Sequence, residues 1–517
     1  MSVENSSGGM KKTLGLTGVT VNAMALIAPG AFLWITYQLQ AASVDSAGVS
    51  TAADMWTGIV VALIVAFLTA FAFAELAHRY PDAGTGSAYY FAEKAFLDRE
   101  EPTHRRWARL FKFIVGWAAH LFYWVYPGVM VAFMATLVTY ILGQFGVTVG
   151  VPGQIVIALV FSAIVGAIAW RGISGSTNVA IIINIIQLVT LVIFSVLAIA
   201  FRNSNPLNVP PDGWYHPVAS SIILPHNFAG MIFQSTIAIL ILVGFESSTA
   251  LGAEAKNAKR DIPRAVIISL VIQGIFAYLF QYFAANYAMG SWLGDGKGIT
   301  AAAASGAPIG DMAIKIGNAM LGGNGFAFMI VLAISVAIAI LGTTLAAMNT
   351  AVRISFAMAQ DNEMPEIMGL LHGKYATPHM GIIAMVIVSA VIGAVGVIGG
   401  AVTLTGVALA SNLGTFVLYG LICAVTVVAF AGRKEFNLFR HGIIPGLGLI
   451  TNIIMVGAIF IIGIASGGTT AQSTYLGLGI SLVWLIISVV YFVINSRQTG
   501  KPIIPSVEAM RVTGTGD

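Results

Sequence analysis

Apolar stretches recur along the whole chain, each near the roughly 20 residues that a helix needs to cross a bilayer core. They are divided by short segments that collect the charges, Gly and Pro. Reading them as helices gives spans at residues 14–38, 55–74, 113–142, 154–170 and 179–201 in the first part of the chain. The second part gives 228–251, 265–289, 326–347, 447–464 and 476–494, together with an uncharged run at 381–432. That run is too long for one crossing and divides most easily near 399–403, so the expectation is an all-α membrane protein of about twelve spans.

Composition agrees. Of 517 residues, 58% are apolar and only 9% are Asp, Glu, Lys or Arg, against about 25% charged residues in an ordinary soluble domain. The apolar run after Lys12 continues well past a signal-peptide core and reads as a retained first helix. Cys423 is the only cysteine, which excludes disulfides and cysteine-rich metal sites. No Walker loop, H-E-x-x-H or G-x-S-x-G occurs and no sizeable soluble region is present, so an ATPase or another enzyme is not expected. A net charge of +4 gives no reason to expect nucleic acid.

The placement of basic residues orients the spans. Short cytoplasmic loops are enriched in Lys and Arg. With the N-terminus inside, only Arg202, Lys297 and Lys315 among the 25 basic residues fall on the outer side. Both termini are therefore expected in the cytoplasm, in a cell (inner) membrane. The cluster Arg105, Arg106, Arg109 and Lys112 fits lipid headgroups better than a protein partner.

Two spans carry interruptions. The first contains Ala28-Pro29-Gly30-Ala31-Phe32 near its middle. Proline removes a backbone donor there and glycine accepts non-helical angles. The sixth contains Gly244-Phe245-Glu246-Ser247-Ser248, and Glu246 is the acid placed deepest in any span. A charge at that depth needs a cavity, a partner or a bound ion. If the first ten spans form two repeats of five, the interrupted spans head the two halves, which is the best sequence pointer to the central site of a transporter. The expected segments are a tail at 1–13, a first repeat at 14–201, a loop at 202–227, a second repeat at 228–432, spans eleven and twelve at 433–494, and a tail at 495–517.

These residues make the chain similar to members of the amino acid–polyamine–organocation superfamily, over nearly its whole length. Ala28 to Phe32 stands where that family has G-S/A-G-I-F. Glu75-Leu76-Ala77, Tyr80-Pro81-Asp82-Ala83-Gly84 and Tyr89-Tyr90 resemble its E-L…P-x-A-G-G-x-Y segment. Gly244-Phe245-Glu246, Glu254-Ala255-Lys256-Asn257 and Arg260-Asp261-Ile262-Pro263 resemble G-F-E…E-E-x-K-N-P…R-D-I-P. Arg353 to Asp361 resembles S-R-x-x-y-a-m-A-R-D-G.

The resemblance implies a LeuT-type 5+5 inverted repeat with broken helices one and six, two extra C-terminal helices, and alternating access. It implies a carrier of amino acids or related amines whose substrate carboxylate rests on the amides of Gly30 and Ala31, Pro29 having none. Carbonyls around Ala25 to Ala28 and at Val243 and Gly244 would receive an ammonium group, with Leu240 or Phe245 as a cover; simple packing explains Phe245 equally well. No organic cofactor or resident metal is implied. The coupling-ion candidates are Na+ and H+. Thr343 and Thr344 resemble a sodium-binding hydroxyl pair with helix-one carbonyls such as that of Ala25, although threonines in membrane helices also bond their own backbone. Gln187 stands where proton-coupled relatives carry lysine, which puts proton coupling of that kind in doubt.

Glu75, Arg353, Glu254 and Lys256 lie near inner helix ends, either as gate ion pairs or as interfacial anchors. His120 reads as a proton-sensitive group or a packed histidine. The alternatives within this reading are a polyamine or organic-cation carrier with Glu246 as counter-ion and, in a different class, an intramembrane receptor or channel. The expected partners are a small solute and membrane lipid.

Overall fold

The structure is a computed structural model that describes residues 12–27, 31–99, 101–172, 177–375 and 377–508. Among these residues it is all-α, with isolated backbone bridges and no β-strand. Eleven helices are long and apolar enough to cross a membrane. They lie at Ala52–Arg79, Pro102–Gln144, Val151–Trp170, Ala180–Ser204, Phe228–Leu251, Ala258–Ala288, Gly325–Gln360, His379–Ile398, Ala401–Phe430, Leu438–Ala465 and Gly468–Thr499. They correspond one for one to the second to twelfth expected spans and keep those ordinals below. The expected first span is occupied by two shorter helices, Leu16–Ile27 and Ala31–Ala41. The uncharged run divides where Gly399 and Gly400 end one helix and begin the next.

The third span crosses the centre of the bundle and packs on the eighth, ninth and tenth. Close packing at one crossing depends on Gly414 of the tenth span, where a Cβ would sit 2.6 Å from the Phe122 backbone nitrogen. Small residues at helix contacts let backbones approach in this way where lipid provides no hydrophobic drive. The first helix packs on the seventh span and on the second half of the sixth, and the second span packs on the sixth and seventh. The fourth, fifth, eleventh and twelfth spans together carry just over half of the exposed Val, Ile and Leu side chains, as lipid-facing surfaces do.

Two elements are absent from the hydropathy pattern. A helix at Ala88–Leu97 joins the second and third spans, and a helical pair at Ile299–Ala304 and Pro308–Met320 covers the opposite end of the bundle. The seventh span changes to π-helix over Val271–Leu279, and the eleventh begins with π-helix at Leu438–Ile443. Such wide turns are rare and often mark functional sites.

Candidate functional site

The end of the helix Leu16–Ile27 is built from other spans. The last four carbonyls of a helix need donor partners beyond the helix itself, and in apolar surroundings side chains must supply them. Here each of the four has one. Gln273 Nε2 donates to the Met24 carbonyl at 3.1 Å and Thr343 Oγ1 to that of Ala25 at 3.1 Å. Tyr126 Oη donates to Leu26 at 3.4 Å and Tyr278 Oη to Ile27 at 2.9 Å. The π-helical turn of the seventh span supplies both Gln273 and Tyr278. Ala28, Pro29 and Gly30 lie outside the described residues, and Ala31 begins the second short helix.

The sixth span is interrupted by its own sequence. Regular helix ends at Ala238, a 3-10 turn covers Ile239–Ile241, and a second 3-10 stretch runs over Phe245–Leu251. Between them Gly244 has φ +122°, a conformation that side chains disfavour. Ser247, Ser248 and Thr249 each donate to the carbonyl three residues earlier, at 2.6, 2.7 and 2.6 Å, which supports the tighter winding. The Glu246 carboxylate accepts from Tyr123 Oη at 2.9 Å, from Tyr419 Oη at 2.8 Å and from the Gly244 amide at 2.9 Å. It has no basic partner among the described residues, and it is buried. Three neutral donors from the third, tenth and sixth spans thus hold it.

The interruption of the sixth span meets the end of the helix Leu16–Ile27. A Cβ on Gly244 would lie 2.8 Å from Leu26 Cδ2 and 3.0 Å from the Ile27 nitrogen. Leu240, Val243 and Phe245 are fully buried beside this junction. The Phe245 ring rests against Phe73 and Tyr419, with ring centres 6.2 and 5.4 Å away.

The remaining expected residues separate into distinct places. Thr343 reaches the first helix at Ala25, whereas Thr344 donates to the Ile340 carbonyl of its own helix at 2.6 Å. Gln187 is buried, with its side-chain oxygen unpaired. Asn184, one turn before it, accepts from Gln273 at 3.3 Å and donates to the Val21 carbonyl at 3.4 Å. His120 is packed, with its ring nitrogens bonded to the Gly116 carbonyl at 2.6 Å and to Ser355 Oγ at 2.9 Å.

At the end of the bundle rich in basic residues, Arg353 pairs with Glu254 at 2.7 Å, while Glu75 pairs instead with His441 of the eleventh span at 3.3 Å. The Lys256 side chain is exposed and forms no ion pair among the described residues. Its backbone nitrogen donates to the Leu14 carbonyl at 2.8 Å, and the amides of Thr13 and Leu14 both donate to the Glu254 carbonyl at 3.0 Å. This end is therefore closed by a short backbone ladder and an ion pair. At the opposite end, Asp311 accepts from Tyr140 at 2.8 Å and from Ser305 at 2.5 Å, and burial lifts its carboxyl above the usual range. A cleft of about 250 Å³ lies beside it, lined in part by Gln38, Tyr140 and Gly306.

Sequence reasoning did not identify Tyr123, Tyr126, Gln273, Tyr278, Tyr419 or His441 as site residues. Except for His441, which precedes the expected eleventh span, their only signal is a polar tip on a side chain within an apolar span, which packing and interface residues share.

A family model described as amino acid permease matches residues 12–489 of the chain. Over 508 residues the chain is 24% identical to the low-affinity putrescine importer PlaP of Escherichia coli (strain K12), covering 96% of each protein. It is 23% identical over 509 residues to the branched-chain amino acid permease BcaP of Bacillus subtilis (strain 168), covering 95% of this chain and 94% of that one. A methylthioribose transporter of Bacillus subtilis is 22% identical over 416 residues, covering 76% of this chain and 79% of that protein.

Proposed function

Because the chain belongs to the amino acid permease family, within the amino acid–polyamine–organocation superfamily, we propose that it carries an amino acid by alternating access around the junction of Ile27 and Gly244. It is a multi-pass membrane transporter for amino acids or amines rather than an enzyme. The observation that carries the finer reading is the convergence of the interrupted sixth span with the end of the helix Leu16–Ile27, whose last carbonyls receive side-chain donors from neighbouring helices. Those side-chain donors can leave when an ammonium group arrives, so the same carbonyls serve the empty and the loaded carrier. The amides of Gly30 and Ala31 are proposed to take the carboxylate, with both termini in the cytoplasm and residues 14–201 and 228–432 as the inverted repeats.

A second reading has specific support. Glu246 is a buried acid without a basic partner among the described residues, and one relative is named as a putrescine importer. In that reading a diamine displaces Tyr123 or Tyr419 and pairs with the carboxylate. The amino acid reading is preferred because the acceptor sites of Glu246 already hold three donors.

The test is counterflow in proteoliposomes preloaded with leucine, putrescine or methylthioribose. Exchange of leucine that fails when its carboxylate is amidated supports the first reading. Exchange of putrescine that amino acids do not inhibit supports the second. Conductance without counterflow would sink both and leave a channel. For coupling we propose sodium at Thr343 and the Ala25 carbonyl. The expected outcome is stabilisation by sodium that Thr343→Val removes and Thr344→Val leaves; stabilisation unchanged in both variants excludes this site.

A further inference from the structure

We propose that the cleft between the start of the third span and the C-terminal segment binds a phosphate group, carried by a phospholipid headgroup or by a soluble phosphate. The cleft measures about 440 Å³ and lies at the basic end of the bundle, where the third span leaves the apolar region. Its walls are the turn at Arg105 and Arg106, the end of the eighth span at Gln360 to Glu363, and the chain around Lys501 to Pro505.

Two of the basic residues in it are already spent. Arg109 forms a forked pair with Glu363, at 2.6 Å from Nε and 3.2 Å from Nη2, and its remaining nitrogen holds the carbonyls of Lys501 and Pro502. Lys112 contacts Glu93 at 2.6 Å and Asp361 at 2.7 Å. Arg105 and Arg106 differ. Both line the cleft, neither has an acidic partner among the described residues, and the Nε of each is buried without a hydrogen bond.

A buried N–H with no partner is uncommon, and it points to a ligand that the protein alone does not supply. Five basic side chains line the cleft against three acids, and the three without an acidic partner among the described residues are Arg105, Arg106 and Lys501, so the excess charge centres on the two arginines and the strap. Guanidinium groups present forked donors that match phosphate oxygens. Trp107 and Phe111 flank the same turn, as aromatic residues do at the depth of lipid headgroups. Since the strap at Lys501 and Pro502 is tied to Arg109, a phosphate in the cleft would bind the C-terminal segment, the third span and the eighth span together.

The experiment measures the melting temperature of the purified full chain in neutral detergent. It compares added phosphatidylglycerol with phosphatidylcholine, and inorganic phosphate with chloride at matched ionic strength. Wild type, Arg105→Gln/Arg106→Gln and Lys434→Gln are tested; Lys434 is exposed at the same end but outside the cleft. Phosphatidylglycerol is expected to raise the midpoint by several degrees over phosphatidylcholine, with the shift lost in the double variant and kept in Lys434→Gln. A response to lipid alone assigns the headgroup, and an equal arginine-dependent response to inorganic phosphate assigns a soluble source. Should the double variant not fold, the single variants are each expected to reduce the shift by about half. No response in wild type to either probe, or the same response in wild type and in the arginine variants, overturns the proposal.

Discussion

The end of the helix Leu16–Ile27 and the interruption of the sixth span are held by opposite means. The helix Leu16–Ile27 ends in carbonyls that borrow donors from the third, seventh and eighth spans. The sixth span carries its own fastening, a glycine with positive φ and an acid two residues later that accepts the glycine amide. Borrowed donors can be exchanged for those of a solute at little net cost, because one hydrogen bond replaces another. A built-in carboxylate is harder to displace, since releasing it leaves a buried charge short of partners. On this comparison the first span is the adaptable side of the junction and the sixth is its frame.

The comparison can be broken most directly at the frame. Gly244→Ala meets both an unfavourable φ, costing about 1–3 kcal/mol, and crowding against Leu26 and Ile27, costing roughly another 1–3 kcal/mol. Loss of nearly all counterflow and a lower yield of folded protein are expected; wild-type behaviour would mean that the two spans need not touch.

Glu246→Gln comes next. It removes a charged acceptor from Tyr123, Tyr419 and the Gly244 amide, at about 2–3 kcal/mol, and should slow counterflow roughly thirty- to hundredfold while the protein remains folded. A variant that transports normally would reduce the acid to a packing residue.

Tyr278→Phe probes the adaptable side. Losing one neutral donor to the Ile27 carbonyl is worth about 1 kcal/mol, so a roughly fivefold change in substrate affinity is expected by thermal titration. A change as large as that for Glu246→Gln would contradict the distinction between frame and adaptable side.

The smallest effect is expected at the closed end. Arg353 and Glu254 are about a quarter exposed, so Arg353→Gln should cost no more than about 1 kcal/mol. Hydrogen exchange of residues 250–256 should quicken a few-fold without loss of binding; unchanged exchange would show that the ladder alone keeps this end shut.

Much of this architecture was legible in hydropathy, because lipid forces every crossing to be both apolar and helical. Even the division at Gly399 and Gly400 and the interruption at Gly244 were marked by residue type alone. What was not legible depends on distance along the chain. Arg353 and Glu254 were both candidates, yet nothing within either segment pairs them, and Glu75 finds His441 more than 360 residues away. The tyrosine caps were hidden because an aromatic ring in an apolar span packs equally well with or without a task for its hydroxyl. The π-helical turns left no signature, since they change hydrogen bonding by one residue without altering composition.

The ladder of residues 13–14 with 254–256 has a mechanical consequence. Together with the contact of Gly244 on Leu26 and Ile27, it fastens the first short helix and the lower half of the sixth span at both their extremities, like two rails joined by end rungs. Under the proposed alternating access, a pair tied in that manner would swing as one lever. A covalent tether between positions 13 and 255 would then be carried along passively, whereas one between 254 and 353 would stop that movement.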